Sequence, residues 1–169
     1  MNTDEAIRGR RTHKAFKPGA VPRETLDELF ELASWAPNHH LSEPWEFRVL
    51  GPQSLARLKE AAGPENASKL DRAPTLVVAS YVRSRDPLTD EEDMLAAACA
   101  IYIVLLAAHA RGLAGYWRTP AVLRSEAGQR AVGVPEGERA LGLIHLGYAA
   151  QEKQAPGRSE PTGFVTYLD

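Results

Sequence analysis

Arg10-Arg11-Thr12-His13-Lys14 gathers two guanidiniums, a hydroxyl, an imidazole and an ammonium into five consecutive positions of a chain whose formal net charge is only -2. Arginine grips delocalised anions through a planar fork of donors and lysine acts as a point charge, so these residue types suggest phosphate binding. In an extended segment, positions 10, 12 and 14 point to one face and 11 and 13 to the other, which would let Arg10, Thr12 and Lys14 hold one ligand together. The same residues would also suit a solvated helix C-terminus, where the helix dipole favours cations.

A second concentration runs from Ala36 to Trp45 and holds Asn38, His39, His40, Ser42 and Glu43 between Pro37 and Pro44. His39 and Glu43, four apart, would converge on a metal only along a helix, and the flanking prolines oppose one; no metal site is expected. The segment reads as a polar loop with Trp45 entering the core. The third concentration, Gly115-Tyr116-Trp117-Arg118-Thr119-Pro120, can lay an indole or guanidinium against a flat ligand, or can simply be a helix-ending turn with a buried Trp117. Lys153 and Arg158 form a fourth, solvated unless the tail returns to the first. No Gly-x-Gly-x-x-Gly, Walker loop, Gly-x-Ser-x-Gly elbow or paired-cysteine spacing occurs. Chemistry here would therefore belong to a cofactor held by scattered polar residues, with no side chain acting as a dedicated catalytic nucleophile or base.

Helical spacing and capping signals must position these clusters. They predict a first helix from an N-cap at Thr3 toward Arg10, and a second after Val21-Pro22 on Leu26, Leu29, Phe30 and Ala33, ended by Pro37. A strand over 46–50, a helix over 54–62 and a buried strand over 75–81 follow. The charged stretch 83–93 reads as a surface loop, and a long buried helix runs from about Glu92 to Arg111, with Cys99 as a small core residue. Residues 115–120 read as a loop, 122–131 as a short helix and 140–147 as another buried strand. Phe164-Val165-Thr166-Tyr167-Leu168 reads as a lone strand beyond a Gly/Pro-rich linker, in need of an edge that a second subunit could supply. Helices mixed with a few non-alternating strands indicate an α+β fold around one sheet.

With 169 residues, 44% hydrophobic and 25% charged, the chain suits a single domain, 1–169, with a real core. The near-balanced charge argues against nucleic-acid binding, and the apolar run 94–108 is too short to span a bilayer, so no membrane role is expected. The absence of an apolar leader stretch in residues 1–15 predicts a cytoplasmic location.

The order of these pieces resembles the FMN-dependent nitroreductase family, most of all its short, single-domain NAD(P)H branch. The resemblance rests on Arg10-Arg11-Thr12 with Lys14 and Phe16, on Ala33 to Trp45, on Gly115 to Thr119, on the strand through Gly142 to Gly147, and on the closing Phe-Val-Thr-Tyr. It implies an α-β-α sandwich around one mixed or antiparallel sheet, with the C-terminal strand exchanged in a homodimer that binds FMN at the subunit interface. Arg10, Arg11 and Thr12 would hold the phosphate and ribityl end, with Arg158 completing the phosphate site and Lys153 assisting. Lys14 would lie nearer the ring. His39 and Glu43 would approach from the other subunit, and Trp117, Arg118 and Thr119 would border the ring. The implied reaction is ping-pong hydride transfer from NADH or NADPH to flavin N5 and on to a nitroaromatic, quinone or similar small acceptor. The alternative is a flavin-storing or flavin-sensing protein without efficient turnover. Glu43 departs from the family's usual Gln-Pro-Trp: an ionised carboxylate only accepts hydrogen bonds where an amide also donates, which bears on flavin potential and substrate choice.

Overall fold

The computed structural model describes residues 1–168; Asp169 lies outside them. Its first helix, α1 (Thr3–Gly9), starts from Asn2, whose side chain accepts from the Glu5 N–H while the Glu5 carboxylate accepts from the Asn2 N–H. This reciprocal cap sits one residue before the expected Thr3. Next comes α2 (Arg23–Ala33), which buries Leu26, Leu29 and Ala33 along one stripe. A 3-10 turn at His39–Leu41 leads to β1 (Trp45–Val49), followed by α3 (Pro52–Ala62), α4 (Pro64–Ala67), β2 (Thr75–Val82), α5 (Pro87–Ala110), β3 (Ala114–Arg118), α6 (Glu126–Ala131) and β4 (Glu138–Gly147).

The four strands form one sheet in the order β1-β2-β4-β3, each neighbouring pair antiparallel. Alternation along β2 and β4 feeds two cores. Val77, Ala79, Ile144 and Leu146 face α2 and α5, whereas Leu76, Val78 and Leu143 face a second cluster with Leu58 of α3 and Leu123 and Val132 around α6. Each fully buried aliphatic side chain contributes roughly 1.5–3 kcal/mol, so the two-sided burial of the central strands anchors the α-β-α layering. Alanines at 96, 97, 100, 107 and 108 are buried on α5 and let that helix lie close to the sheet.

Several expectations are corrected. The stretch 83–93 is mostly helix: Asp86 accepts from the Thr89 N–H and hydroxyl, and Pro87 takes the first position of α5. The predicted loop 115–120 is largely β3, held to β4 with Trp117 opposite Ile144 and Arg118 opposite Leu143. Ser125 divides the expected helix 122–131 into a 3-10 turn and α6. Cys99 is exposed, because α5 turns Leu95, Cys99 and Tyr102 away from the core. Residues 164–168 form no strand within the protomer: after a 3-10 turn at Pro161–Gly163 they pair with no edge and stay exposed.

Candidate functional site

Beyond α1 the chain straightens and becomes a bracket along the sheet edge. Arg10 caps the helix with its N–H on the Ala6 carbonyl, Thr12 makes a parallel bridge to Gly115 of β3, and the His13 N–H donates to the Gly115 carbonyl at 3.2 Å. Farther on, Phe16 pairs with Ala149, and the Lys17 N–H donates to the Tyr148 carbonyl at 2.8 Å. Burial alternates from Arg11 to Lys14, with Thr12 and Lys14 exposed and Arg11 and His13 half-buried, but Arg10 is half-buried too and shares its hollow with Arg11, not with Thr12 and Lys14 as expected.

The tail returns to this bracket. Lys153 Nζ donates to the Thr12 carbonyl at 2.6 Å, and Arg158 lines a hollow of about 370 Å³ together with Arg10, Arg11 and Tyr102. Arg11 is partly committed to its own backbone, donating to the Arg8 and Arg10 carbonyls at 2.6 and 2.8 Å. The Nε atoms of Arg10 and Arg11 are buried with no hydrogen-bond partner among the described residues. Buried N–H donors left open are costly; the guanidinium residues Arg10, Arg11 and Arg158 also line one hollow, and that concentration of residue types suits a phosphate.

Across the bracket, the end of β3 is held by a bulge in β4. The register with β2 slips between Ala79 and Ser80, skipping Leu141, and the freed Leu141 carbonyl accepts from Trp117 Nε1 at 3.3 Å and from the Thr119 hydroxyl at 3.1 Å. Gly142, at φ +152°, makes this possible: a Cβ there would stand 2.6 Å from both the Arg118 carbonyl and Trp117 Nε1. Trp117 is half-buried against the core that α2 and α5 share with the sheet, Arg118 is half-buried on the opposite face in a hollow with Ala62 and Leu70, and Thr119 is exposed.

The loop carrying His39 and Glu43 is built differently. His40, Leu41 and Glu43 have φ of +53°, +52° and +44°, a left-handed backbone that non-glycine residues hold only under constraint. The constraint comes from α5 and from Asn38. His39 Nδ1 meets Glu92 Oε2 at 2.8 Å, the Ser42 hydroxyl donates to Asp93 at 2.8 Å, and Asn38 Oδ1 accepts from the Glu43 N–H at 3.0 Å. Among the described residues no hydrogen bond joins this loop to Arg10–Lys14 or to Trp117–Thr119, and His39 and Glu43 face solvent. Arg10 and Arg158 thus share one hollow and Lys153 reaches the Thr12 backbone, whereas Trp117, Arg118 and Thr119 do not line that hollow and His39 and Glu43 are placed elsewhere on the protomer.

Sequence reasoning missed Tyr102, whose signal was a polar aromatic in an alanine-rich helix, and the Glu92-Asp93 pair that pins the loop. It also passed over His145, fully buried on β4 with its ring 5.3 Å from that of Tyr116 and both nitrogens without a partner. Burial first, and then the nearby Arg118 charge, push its pKa down to about 4, so at neutral pH it packs as an uncharged ring. No three His, Cys, Asp or Glu side chains converge as a metal site among the described residues.

A family model described as the nitroreductase family matches residues 7–69 and 61–148. The chain is 32% identical to a protein of Haemophilus influenzae, with 94% of this chain and 95% of that one covered. It is 27% identical to YdjA of Escherichia coli K12, with 99% and 100% covered. Both relatives carry the provisional name NAD(P)H nitroreductase. Among solved structures, a nitroreductase-like family protein from Bacillus cereus superposes with a TM-score of 0.91 at 23% identity, covering 100% of this chain and 97% of that one. An FMN-dependent nitroreductase from Clostridium difficile R20291 gives 0.80 at 22%, covering 99% of each. Both superpositions show a shared fold.

Proposed function

The chain belongs to the nitroreductase family, and on that premise we propose that it is an FMN-dependent oxidoreductase that takes hydride from NADH or NADPH and delivers it to a small acceptor such as a nitroaromatic or quinone. The observation that carries this reading is the return of the tail to the first cluster, with Lys153 on the Thr12 carbonyl and Arg158 lining one hollow with Arg10 and Arg11. Arg10 and Arg158 would hold the phosphate, Thr12 and Lys153 the adjoining chain, and Arg11 would act through the donors its backbone bonds leave free. Lys14, exposed on the same side as Thr12, would sit nearer the ring and stabilise negative charge there. FMN would supply the hydride-accepting centre; Trp117, Arg118 and Thr119 would position its ring and shield one side from water.

A homodimer would complete the site. On α5, Leu88, Leu95, Cys99 and Tyr102 form an exposed stripe, and Phe164 and Tyr167 are 73% and 93% exposed. Such apolar surface is what a partner subunit covers. A partner on that stripe would also meet the loop held by Glu92 and Asp93, which is how His39 and Glu43 could reach the other protomer's ring, and the 164–168 segment could then find an edge. The test is the visible spectrum of FMN-saturated, desalted protein, recorded anaerobically before and after addition of NADPH or NADH. A retained flavin band that bleaches supports the reading. A retained band that neither nucleotide bleaches favours storage or sensing, and loss of all flavin on desalting overturns the assignment of the cofactor.

A further inference from the structure

A second and larger hollow, about 690 Å³, opens between the C-terminal end of α5, the start of β3 and the chain after β4. It is lined by the side of the bracket that carries Arg11 and His13, with Thr12 and Lys14 absent from its wall. Lys17, His109 and Lys153 add three more basic groups, and Glu152 is the one carboxylate on the lining. Among the described residues none of these five basic side chains takes part in a salt bridge. Concave, uncompensated positive charge focuses the local field and draws in anions.

We propose that this basin binds a phosphoryl anion, free or carried by a small molecule, among Arg11, His13, His109 and Lys153, as a site separate from the hollow at Arg10 and Arg158. Arg11 lines both hollows and forms the wall between them. Because the proposed flavin site also uses Arg11 and Lys153, Lys17 and the two imidazoles are the basin's own basic groups against Glu152, and an anion there gains attraction as the imidazoles take up protons. The volume exceeds what one phosphate fills and leaves Leu113, Ala114 and Ala149 as an apolar shelf for an organic body.

The imidazoles report occupancy. Burial, then Lys153, His109, Arg10 and Arg11, hold His13 below its ordinary pKa; burial, then Arg10 and Arg11, do the same to His109. An anion seated between them offsets those charges and pulls both values up, with uptake of protons. For an anion in a given ionisation state, affinity therefore rises as pH falls through the usual histidine range.

The experiment takes FMN-saturated protein and titrates it with inorganic phosphate or with glycerol phosphate, chloride holding ionic strength constant, while the His13 and His109 ring proton resonances are followed at about pH 6 and about pH 7.5. The expected result is a saturable shift of both resonances that survives full flavin occupancy and is tighter at the lower pH once affinities are referred to one ionisation state of the anion. Tighter binding of the ester marks a phosphorylated small molecule as the source, and tighter binding of phosphate marks the free ion. His13→Gln with His109→Gln should weaken binding by about tenfold or more and leave FMN affinity unchanged. If that pair folds poorly, Lys17→Ala, on the exposed rim, should weaken it in the same direction. No shift beyond the chloride control, or a shift abolished by FMN, overturns the proposal. Phosphate binding by a protein that retains no flavin would sink the flavin reading and leave this site standing.

Discussion

At the scale of single residues, the chemistry rests on where charge is allowed to stay unpaired. Arg10 keeps a buried Nε without a partner, and Arg158 faces the same hollow from the far end of the chain. Replacing both with alanine removes two charge-assisted contacts, so FMN affinity should fall by about a hundredfold, read from quenching of flavin fluorescence on titration. Unchanged affinity would move the phosphate elsewhere. His145 behaves in the opposite way, because nothing charged is wanted where it lies. Its folded pKa, about 4, is below the unfolded value, so between roughly pH 6.5 and 4 the unfolded chain binds the extra proton and stability drains away as pH falls. The effect is on the order of 3 kcal/mol at its fullest and is complete once pH is below the folded value. His145→Leu should flatten that part of the urea-midpoint profile against pH; a variant with the wild-type slope would show that another group sets it. The anion-binding types at 10–14 were legible from composition alone. The burial of His145 was not, because one histidine in an apolar strand looks the same in sequence whether it points to core or solvent.

Elements were legible where periodicity was strong and both faces had a consequence. The stripe of α2 and the β-branched run of β2 show this, since each buries residues that could go nowhere else. β3 was missed because a five-residue strand containing glycine and two aromatics carries a turn's composition, and only its pairing with β4 makes it a strand. The start of α5 was hidden by its acidic residues, although the Asp86-Pro87 cap was a readable signal. Two substitutions test what the elements do for the site. Gly142→Ala places a methyl against the Arg118 carbonyl in a backbone that disfavours side chains; it should cost at least about 2 kcal/mol in chemical unfolding and disturb Trp117 fluorescence. Wild-type stability would show that the bulge relaxes freely. Asp93→Ala removes the acceptor of the Ser42 hydroxyl, and the strained loop should then open to proteolysis between Asn38 and Ser42 sooner than in the wild type. Equal cleavage rates would place the constraint with Asn38 and Glu92 instead.

For the whole molecule, the α+β layering followed from the order of elements, while the partnership of distant segments did not. Nothing in the sequence alone ties Thr12 to Gly115, or Lys17 to Tyr148, because backbone bridges are blind to side-chain type. The assembly prediction belongs here. Leu95→Arg sets a charge in the middle of the α5 stripe and should shift the protein toward monomer in sedimentation velocity, with less flavin retained after desalting. A fully dimeric variant would clear that face of the role. The bracket also has a bearing on how the protein is made. Arg10 leaves the ribosome early, but the hollow it lines also needs Arg158, and the backbone of 12–17 is tied down by Gly115, Tyr148 and Lys153. Until those late segments are translated the early cluster has no pocket, so under the proposed function a nascent chain would not load FMN. On the proposed reading, flavin would act on the finished chain and stabilise it by mass action, which would make the amount of folded protein responsive to the flavin pool.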